Sequence, residues 1–156
     1  MRILGIDPGL AITGFGVIIK DKNKINLLAS GCILTSKEES VYNRIGMIYA
    51  DVIKVIKKYK PDCVICEELF FFKNAKTVIN VAQARGVIML AAKNSKVPFF
   101  EYTPLQIKQA LTGYGRADKK QIQEMTKGLL GLSDYLRPDD VADACASAIC
   151  HANCVK

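Results

Sequence analysis

Hydrophobic residues come in short, separate runs along this chain. The runs at 2–6, 14–20, 25–34, 63–66 and 97–102 are mostly bounded by turn-forming residues, which predicts five β-strands. Only brief turns separate the first three runs, so these strands are expected to pair antiparallel. The chain therefore opens with a three-stranded antiparallel unit.

Helical spacing of apolar residues fills the remaining stretches. A capping-box pattern starts at Ser36, apolar residues recur at helical intervals from Val41 to Val55, and Lys60-Pro61 ends this first helix. Thr103 followed by proline marks the start of another helix. After the fourth strand, helices are predicted over 75–93, 104–112, about 122–132 and Pro138 to about Asn153.

The helix between the third and fourth strands determines how the fourth strand pairs. Such a crossover makes the fourth strand a parallel neighbour within the sheet, so the strands that end at Asp7 and Glu67 should be adjacent. Mixed strands with helices on both faces indicate an α/β sandwich. A length of 156 residues, of which 50% are hydrophobic, fits a single domain spanning residues 1–156.

Four acidic residues stand at places where a charge needs a partner. Asp7 and Glu67 each follow an apolar strand, and Asp140 and Asp143 lie on one face of the terminal helix. A carboxylate that loses its hydration is stabilised by a cation, and several oxygen ligands together suit a hard divalent metal. Two Mg²⁺ or Mn²⁺ ions about 4 Å apart can drive phosphodiester hydrolysis, so the acids predict a metal-dependent nuclease.

Neighbouring acids are alternatives for two of these positions. Glu68 competes with Glu67, because alternation along a strand lets only one of them point toward Asp7. Asp139 competes with Asp140, and both would also be favoured in a first helical turn by the helix dipole alone. Spacing in the sequence does not choose between these alternatives.

The charge of the chain favours a polyanionic partner. Lys and Arg number 22 against 15 Asp and Glu, a net charge of +7 and a pI of about 9.1. Basic residues gather around the glycine break at 113–115, where backbone amides and lysines could hold phosphates; they are Lys108, Arg116, Lys119 and Lys120. An ordinary solvated helix face is the alternative interpretation of this group.

The six cysteines lie mostly in apolar runs, where a thiol packs as a small hydrophobe. The spacing of Cys63 and Cys66 is that of a zinc-binding pair, but no second pair matches it. The sequence opens without a signal-peptide pattern, so reduced cysteines and a cytoplasmic location are expected. No run reaches the about 20 apolar residues that a bilayer-spanning helix needs, so no membrane association is expected.

Several motifs in order along the chain resemble the RuvC-type crossover-junction endodeoxyribonucleases, the bacterial Holliday-junction resolvases. The matching segments are Gly5-Ile-Asp-Pro-Gly-Leu10, Thr13-Gly-Phe-Gly-Val17, Glu67-Glu-Leu-Phe70, Lys73-Asn-Ala75, Gln83-Ala-Arg-Gly86, Tyr102-Thr-Pro104, Gln106-Ile-Lys108 and Asp140-Val-Ala-Asp-Ala144. They cover essentially the whole chain. The resemblance implies a ribonuclease-H-like fold with a five-stranded mixed sheet, antiparallel in its first three strands and parallel thereafter.

The resemblance also implies an activity and its machinery. A homodimer would resolve four-way DNA junctions by paired symmetric nicks in homologous recombination and repair, with two Mg²⁺ ions per subunit that Mn²⁺ can replace. RuvA and RuvB, the branch-migration proteins, would be its partners. By position, the catalytic and metal-binding residues would be Asp7, Glu67, Asp140 and Asp143, and the DNA-binding residues Phe70, Lys73, Lys108 and Lys119. Glu68 departs from the family, where an uncharged amide is common.

Two further expectations concern apolar residues. Phe70 is expected to stack on unpaired bases at the open junction centre, a contact of about 1–3 kcal/mol, whereas core or dimer packing explains Phe71 and Phe72 equally well. The apolar face of helix 75–93 is a candidate dimer interface, although packing against the sheet explains the same pattern.

Three other functions remain open from the sequence. Asp-x-Gly followed by Thr-Gly also occurs in sugar kinases and actin-like ATPases, but those proteins need two such domains. An RNA-processing nuclease of the same fold and a non-catalytic junction-binding subunit are nearer alternatives. Nucleotide binding and a comparison of junction, duplex and RNA cleavage would separate them.

Overall fold

The computed structural model describes residues 1–22, 24–69 and 75–155. Within them, all five predicted strands and all five predicted helices are present. In chain order they are β1 (Arg2–Asp7), β2 (Ile12–Asp21), β3 (Lys24–Leu34), α1 (Val41–Tyr59), β4 (Cys63–Glu67), α2 (Ala75–Asn94), β5 (Phe99–Tyr102), α3 (Pro104–Thr112), α4 (Lys119–Leu129) and α5 (Asp139–Cys154). Phe70 and Lys73 lie outside the described residues.

The five strands form one mixed sheet in the order β3-β2-β1-β4-β5. β1 and β3 pair antiparallel with β2, whereas β1 and β5 pair parallel with β4, as predicted. Ile6 of β1 lies opposite Cys66 of β4 in this register. The next residues along the two strands, Asp7 and Glu67, therefore leave the sheet side by side at the same edge.

Two helical layers cover the two faces of the sheet. Alternate residues of β1 point to opposite faces, so Leu4 packs with Ile48 and Ile88 on the α1–α2 side, while Ile3 packs with Ile149 on the other side. Side chains from α3 and α4 complete this second side, which contains most of α5. Complete burial of each such side chain stabilises the fold by about 1.5–3 kcal/mol before entropy is counted.

The start of α1 differs from the prediction. Ser40, and not Ser36, caps this helix, because its hydroxyl accepts a hydrogen bond from the Asn43 amide at 3.2 Å. The hydroxyl of Ser36 instead accepts a hydrogen bond from the Glu38 amide at 3.2 Å, which stabilises the turn before the helix. The predicted N-cap of α3, Thr103, is confirmed, and together with Gln106 it forms a capping box.

All six cysteines are free thiols, and four of them are buried in the core. This agrees with the packing role expected from their apolar neighbours. Among the helices that the structure describes, none is both long and apolar enough to cross a bilayer.

Candidate active site

The four predicted acids converge at one edge of the sheet. Asp7 and Glu67 end β1 and β4, while Asp140 and Asp143 lie in the first turns of α5, and all four are partly buried. Burial raises the pKa of Asp7 from 3.8 to about 7, and the charges of Asp143, Asp140 and Glu67 each add to this rise. The charges of the three other acids thus all act on Asp7 at the end of β1.

Three glycines of β1 and β2 bring the acids of α5 to this edge. Gly5 and Gly16 lie opposite each other on the two strands, and Gly14 lies opposite Asp7. A Cβ atom on Gly5 would overlap the backbone of α5 at Ala144, and one on Gly14 would overlap its backbone at Asp140. The helix therefore rests directly on the strand backbone, which holds its first turns beside the end of β1.

Two lysines oppose the negative charge of the cluster. Burial and the charge of Asp143 raise the pKa of Glu67, while Lys108 lowers it. Burial likewise raises the pKa of Asp143, and Lys119, whose Nζ lies 3.5 Å from Asp143 Oδ2, lowers it. The two lysines thus lie close enough to the acids to lower the pKa of Glu67 and of Asp143.

The lysines and acids share a small cavity. Its volume is about 200 Å³, and Glu67, Asp143, Lys108 and Lys119 supply its polar side chains. Apolar residues of α3, α4 and α5 form the remaining wall. A space with carboxylates on one side and ammonium groups on the other suits a phosphodiester bound through a cation.

The neighbouring acids have different surroundings. Glu68 is exposed, and its amide donates a hydrogen bond to the carbonyl oxygen of Tyr102 at 2.9 Å. Asp139 forms ion pairs of 3.1 Å with Lys119 and with Arg137. The hydrogen bond from Lys119 and its charge lower the pKa of Asp139, so this carboxylate is already balanced within the protein.

A second cavity lies on another side of Asp140. It measures about 350 Å³ and is lined by the loop 9–12, Arg44 of α1, Asn80 and Val81 of α2, and Asp140. Arg44 was not among the site residues predicted from the sequence. One feature of the sequence could have indicated it: Arg44 lies in the first turn of a helix, where the helix dipole disfavours a cation, so a role outside the helix is indicated.

The donor set fits a divalent cation by its chemistry. Four carboxylates supply the oxygen ligands that Mg²⁺ and Mn²⁺ prefer, and their repulsion is relieved by positive charge. In the residues that the structure describes, no three His, Cys, Asp or Glu side chains are already closed around a common metal position. Lys119 meanwhile pairs with Asp143, so the carboxylates would reorient as a cation binds.

The chain is similar to known nucleases over nearly its whole length. The family model of crossover junction endodeoxyribonuclease RuvC matches residues 3–151. The crossover junction endodeoxyribonuclease RuvC of Fusobacterium nucleatum is 54% identical, with 98% of this chain and 80% of that protein covered. The corresponding protein of Thermosipho melanesiensis is 51% identical, with 97% of each covered.

Solved structures agree with this sequence similarity. A structure of T. thermophilus RuvC in complex with Holliday junction substrate matches with a TM-score of 0.92 at 39% identity, covering 97% of this chain and 93% of that one. The mixed sheet flanked by helices is thus the ribonuclease-H-like fold of these structures. Family membership makes the protein a nuclease and indicates that it depends on a divalent metal. The chain belongs to the RuvC family of crossover junction endodeoxyribonucleases.

Proposed function

We propose that this protein resolves four-way DNA junctions by paired symmetric nicks during homologous recombination and repair. The observation that carries the proposal is the convergence of Asp7, Glu67, Asp140 and Asp143 at one sheet edge, in a chain of this family. A solved relative bound to a Holliday junction supports the choice of substrate. A single domain, residues 1–156, would carry the activity in the cytoplasm.

The four acids would hold two Mg²⁺ ions per subunit, with Mn²⁺ as a possible replacement. Divalent ions at this position activate the attacking water and stabilise the departing oxygen of a phosphodiester. Asp7 lies where the repulsion of the three other acids meets, so it is the carboxylate best placed to contribute to both ions. Its pKa of about 7 means that cation binding must also displace a proton near neutral pH.

The substrate would be held by basic and aromatic residues around the acids. Lys108 and Lys119 border the cavity beside Glu67 and are proposed to bind phosphate oxygens. Phe70 and Lys73, which follow Glu67 in the chain, are proposed to contact the open junction centre, Phe70 by stacking on a base. If Phe70→Ala cut junctions at the parental rate and left the crossover equally distorted, the stacking role would be wrong.

The proposed homodimer would use the outer face of α1 and α2. One side of α2 packs on the sheet through buried residues such as Ala84 and Ile88, whereas Ile79 and Leu90 are 58% and 50% exposed. A groove of about 730 Å³ runs beside Leu90 and is lined mostly by α1. Exposed apolar area of this kind marks an interaction surface, and a twofold pair would supply two matching cuts to a nearly twofold junction.

Sedimentation at micromolar concentration tests this interface. The parent should sediment as a dimer and Leu90→Glu as a monomer, because a charge at the interface opposes burial. Leu105→Glu is the matched control, since Leu105 is 58% exposed but lies on α3, on the opposite face of the sheet. A monomeric parent, or a dimer that survives Leu90→Glu, would contradict the proposed pairing. RuvA and RuvB are proposed as further partners on family grounds alone.

Junction cleavage tests the function itself. A labelled synthetic four-way junction is incubated with the protein and Mg²⁺, and the products are sized on a denaturing gel. Symmetric nicks on opposite strands are expected, with little cutting of linear duplex or RNA. EDTA or Asp7→Asn should abolish the nicks while junction binding remains. Full cleavage by Asp7→Asn, or equal cleavage of duplex, would overturn the proposal.

A further inference from the structure

Arg44 is tied to the loop that follows Asp7. Its Nε donates a hydrogen bond of 2.8 Å to Thr35 Oγ1, and this hydroxyl donates one of 2.5 Å to the carbonyl oxygen of Leu10. The amide of Thr35 donates to the carbonyl oxygen of Ala11 at 3.1 Å. Thr35 thus fastens both the side chain of Arg44 and the loop, so the guanidinium is oriented before any ligand arrives.

The guanidinium of Arg44 keeps most of its binding capacity. Within the described parts of the chain, only its Nε makes a hydrogen bond, and no carboxylate oxygen lies within 4.0 Å of it. By contrast, Arg85 is paired with Glu101 and Arg137 with Asp139. A planar guanidinium with both terminal nitrogens available matches a phosphate group, which accepts two parallel hydrogen bonds.

The position of Arg44 relative to the acids suggests which phosphate it meets. Arg44 and Asn80 line the cavity of about 350 Å³ that also contacts Asp140. The cavity that contains Lys119 contacts Asp143 instead. Asp143 and Asp140, one turn apart on α5, thus line two separate cavities that each have a cation in their wall. A DNA strand whose cleaved phosphate lies at the acids would reach both.

We propose that Arg44 binds a neighbouring, uncleaved phosphate of the strand that is cut, with the amide of Asn80 as a second donor. This inference rests on the proposed junction cleavage and adds a phosphate site beside Asp140, in a cavity separate from the one that contains Lys119. Arg44 does not touch the reacting atoms, so its contribution is to affinity and strand position. It explains why a cation occupies the first turn of α1, where the helix dipole disfavours it.

Binding of Arg44→Gln to a labelled four-way junction, measured in EDTA over a series of salt concentrations, tests the site. The dissociation constant should rise about tenfold or more, as expected for a lost hydrogen bond to a charged group. The slope of log affinity against log salt should fall by about 0.9, the share of one phosphate contact. With Mg²⁺, the loss should appear in KM more than in kcat, since the guanidinium of Arg44 would contact a phosphate that does not react.

Three further variants separate phosphate binding from loop support. Thr35→Val removes the acceptor of Nε but keeps the guanidinium, so it should retain the parental salt slope. Lys57→Gln removes an exposed cation at the far end of α1 and should leave slope and affinity unchanged. Arg44→Lys, which keeps the charge without the planar fork, should restore the slope but only part of the affinity.

A methylphosphonate scan of the cut strand identifies the contacted phosphate. At one position beside the cleavage site, removal of the phosphate charge should weaken junction binding by the parent as much as Arg44→Gln does. The same removal should not weaken junction binding by Arg44→Gln any further. The inference would be overturned if Arg44→Gln kept the parental salt slope, or if the losses of affinity from Arg44→Gln and from the methylphosphonate added up at every position. Cleavage by the parent would still uphold the proposed function in that case. A parent that neither binds nor cuts junctions would instead overturn that function and, with it, this site.

Discussion

Replacement of Asp7 by asparagine should make the metal-free protein more stable above neutral pH. Burial and three nearby acids raise the pKa of Asp7 from 3.8 to about 7. The unfolded chain releases this proton at a lower pH than the folded protein does, so the contribution of Asp7 to stability is fully present below about pH 4 and is lost as the pH rises through about 7. A difference of about three pKa units corresponds to about 4 kcal/mol.

Urea denaturation in EDTA at about pH 4 and about pH 8 measures this effect. The quantity to compare is the free energy of unfolding of Asp7→Asn minus that of the parent. This difference should be about 3–4 kcal/mol more favourable to the variant at about pH 8 than at about pH 4. Effects of asparagine that do not depend on pH cancel in this comparison.

Asp21→Asn serves as the matched control, because Asp21 is exposed and lies at the opposite end of the β1–β2 pair from Asp7. The difference in the free energy of unfolding between Asp21→Asn and the parent should change by less than about 0.5 kcal/mol over the same pH range. Saturating Mg²⁺ at the higher pH should reverse the order of the parent and Asp7→Asn, since the ion stabilises only a protein that binds it. A difference for Asp7→Asn that stays constant within about 1 kcal/mol would refute the raised pKa of Asp7, and with it the burial of this carboxyl group beside the other acids.

Three other substitutions test single features. Gly14→Ala should lower the free energy of unfolding in urea by about 1–3 kcal/mol, because the added methyl group meets the backbone of α5. Gly46→Ala places its methyl group in open space and should not destabilise the protein, so equal effects of the two substitutions would disprove the close contact. Lys119→Gln should raise the pKa of Asp143, because the ammonium group of Lys119 lowers that pKa in the parent. A carboxyl ¹³C titration without metal should show the higher midpoint, and an unchanged midpoint would contradict the ion pair. Thr103→Ala should lower stability by about 1 kcal/mol through loss of the α3 cap, and an unchanged thermal midpoint would count against that role.

Local patterns were sufficient to predict the elements and the adjacency of β1 and β4 in the sheet. The strands alternate with turn residues, and the crossover helix alone made β1 and β4 parallel neighbours. The predicted cap of α1 was wrong because Ser36 and Ser40 both precede polar residues that suit a helix cap. A sequence does not say which of two nearby serines the folded chain leaves in extended conformation before the helix.

The site was predictable only in part from the residues alone. Asp7 and Glu67 follow strands whose pairing could be inferred, but Asp140 and Asp143 reach them through contacts between α5 and strand glycines far away in the chain. The partnership of Lys119 with Asp139 was likewise not visible, since it joins two elements through side chains. Arg44 was missed for the same reason, because its value lies in its neighbours in space.

The contact of α5 with bare strand backbone has a consequence for how the protein can change. Because no side chain separates the helix from Gly5 and Gly14, its height above the sheet does not depend on the size of core residues there. The α1–α2 side has ordinary side-chain packing and can be refilled by other apolar residues. The layer proposed to meet a second subunit is thus free to diversify while the layer that carries Asp140 stays in place, which offers protein engineers a scaffold whose surface and chemistry can be altered separately.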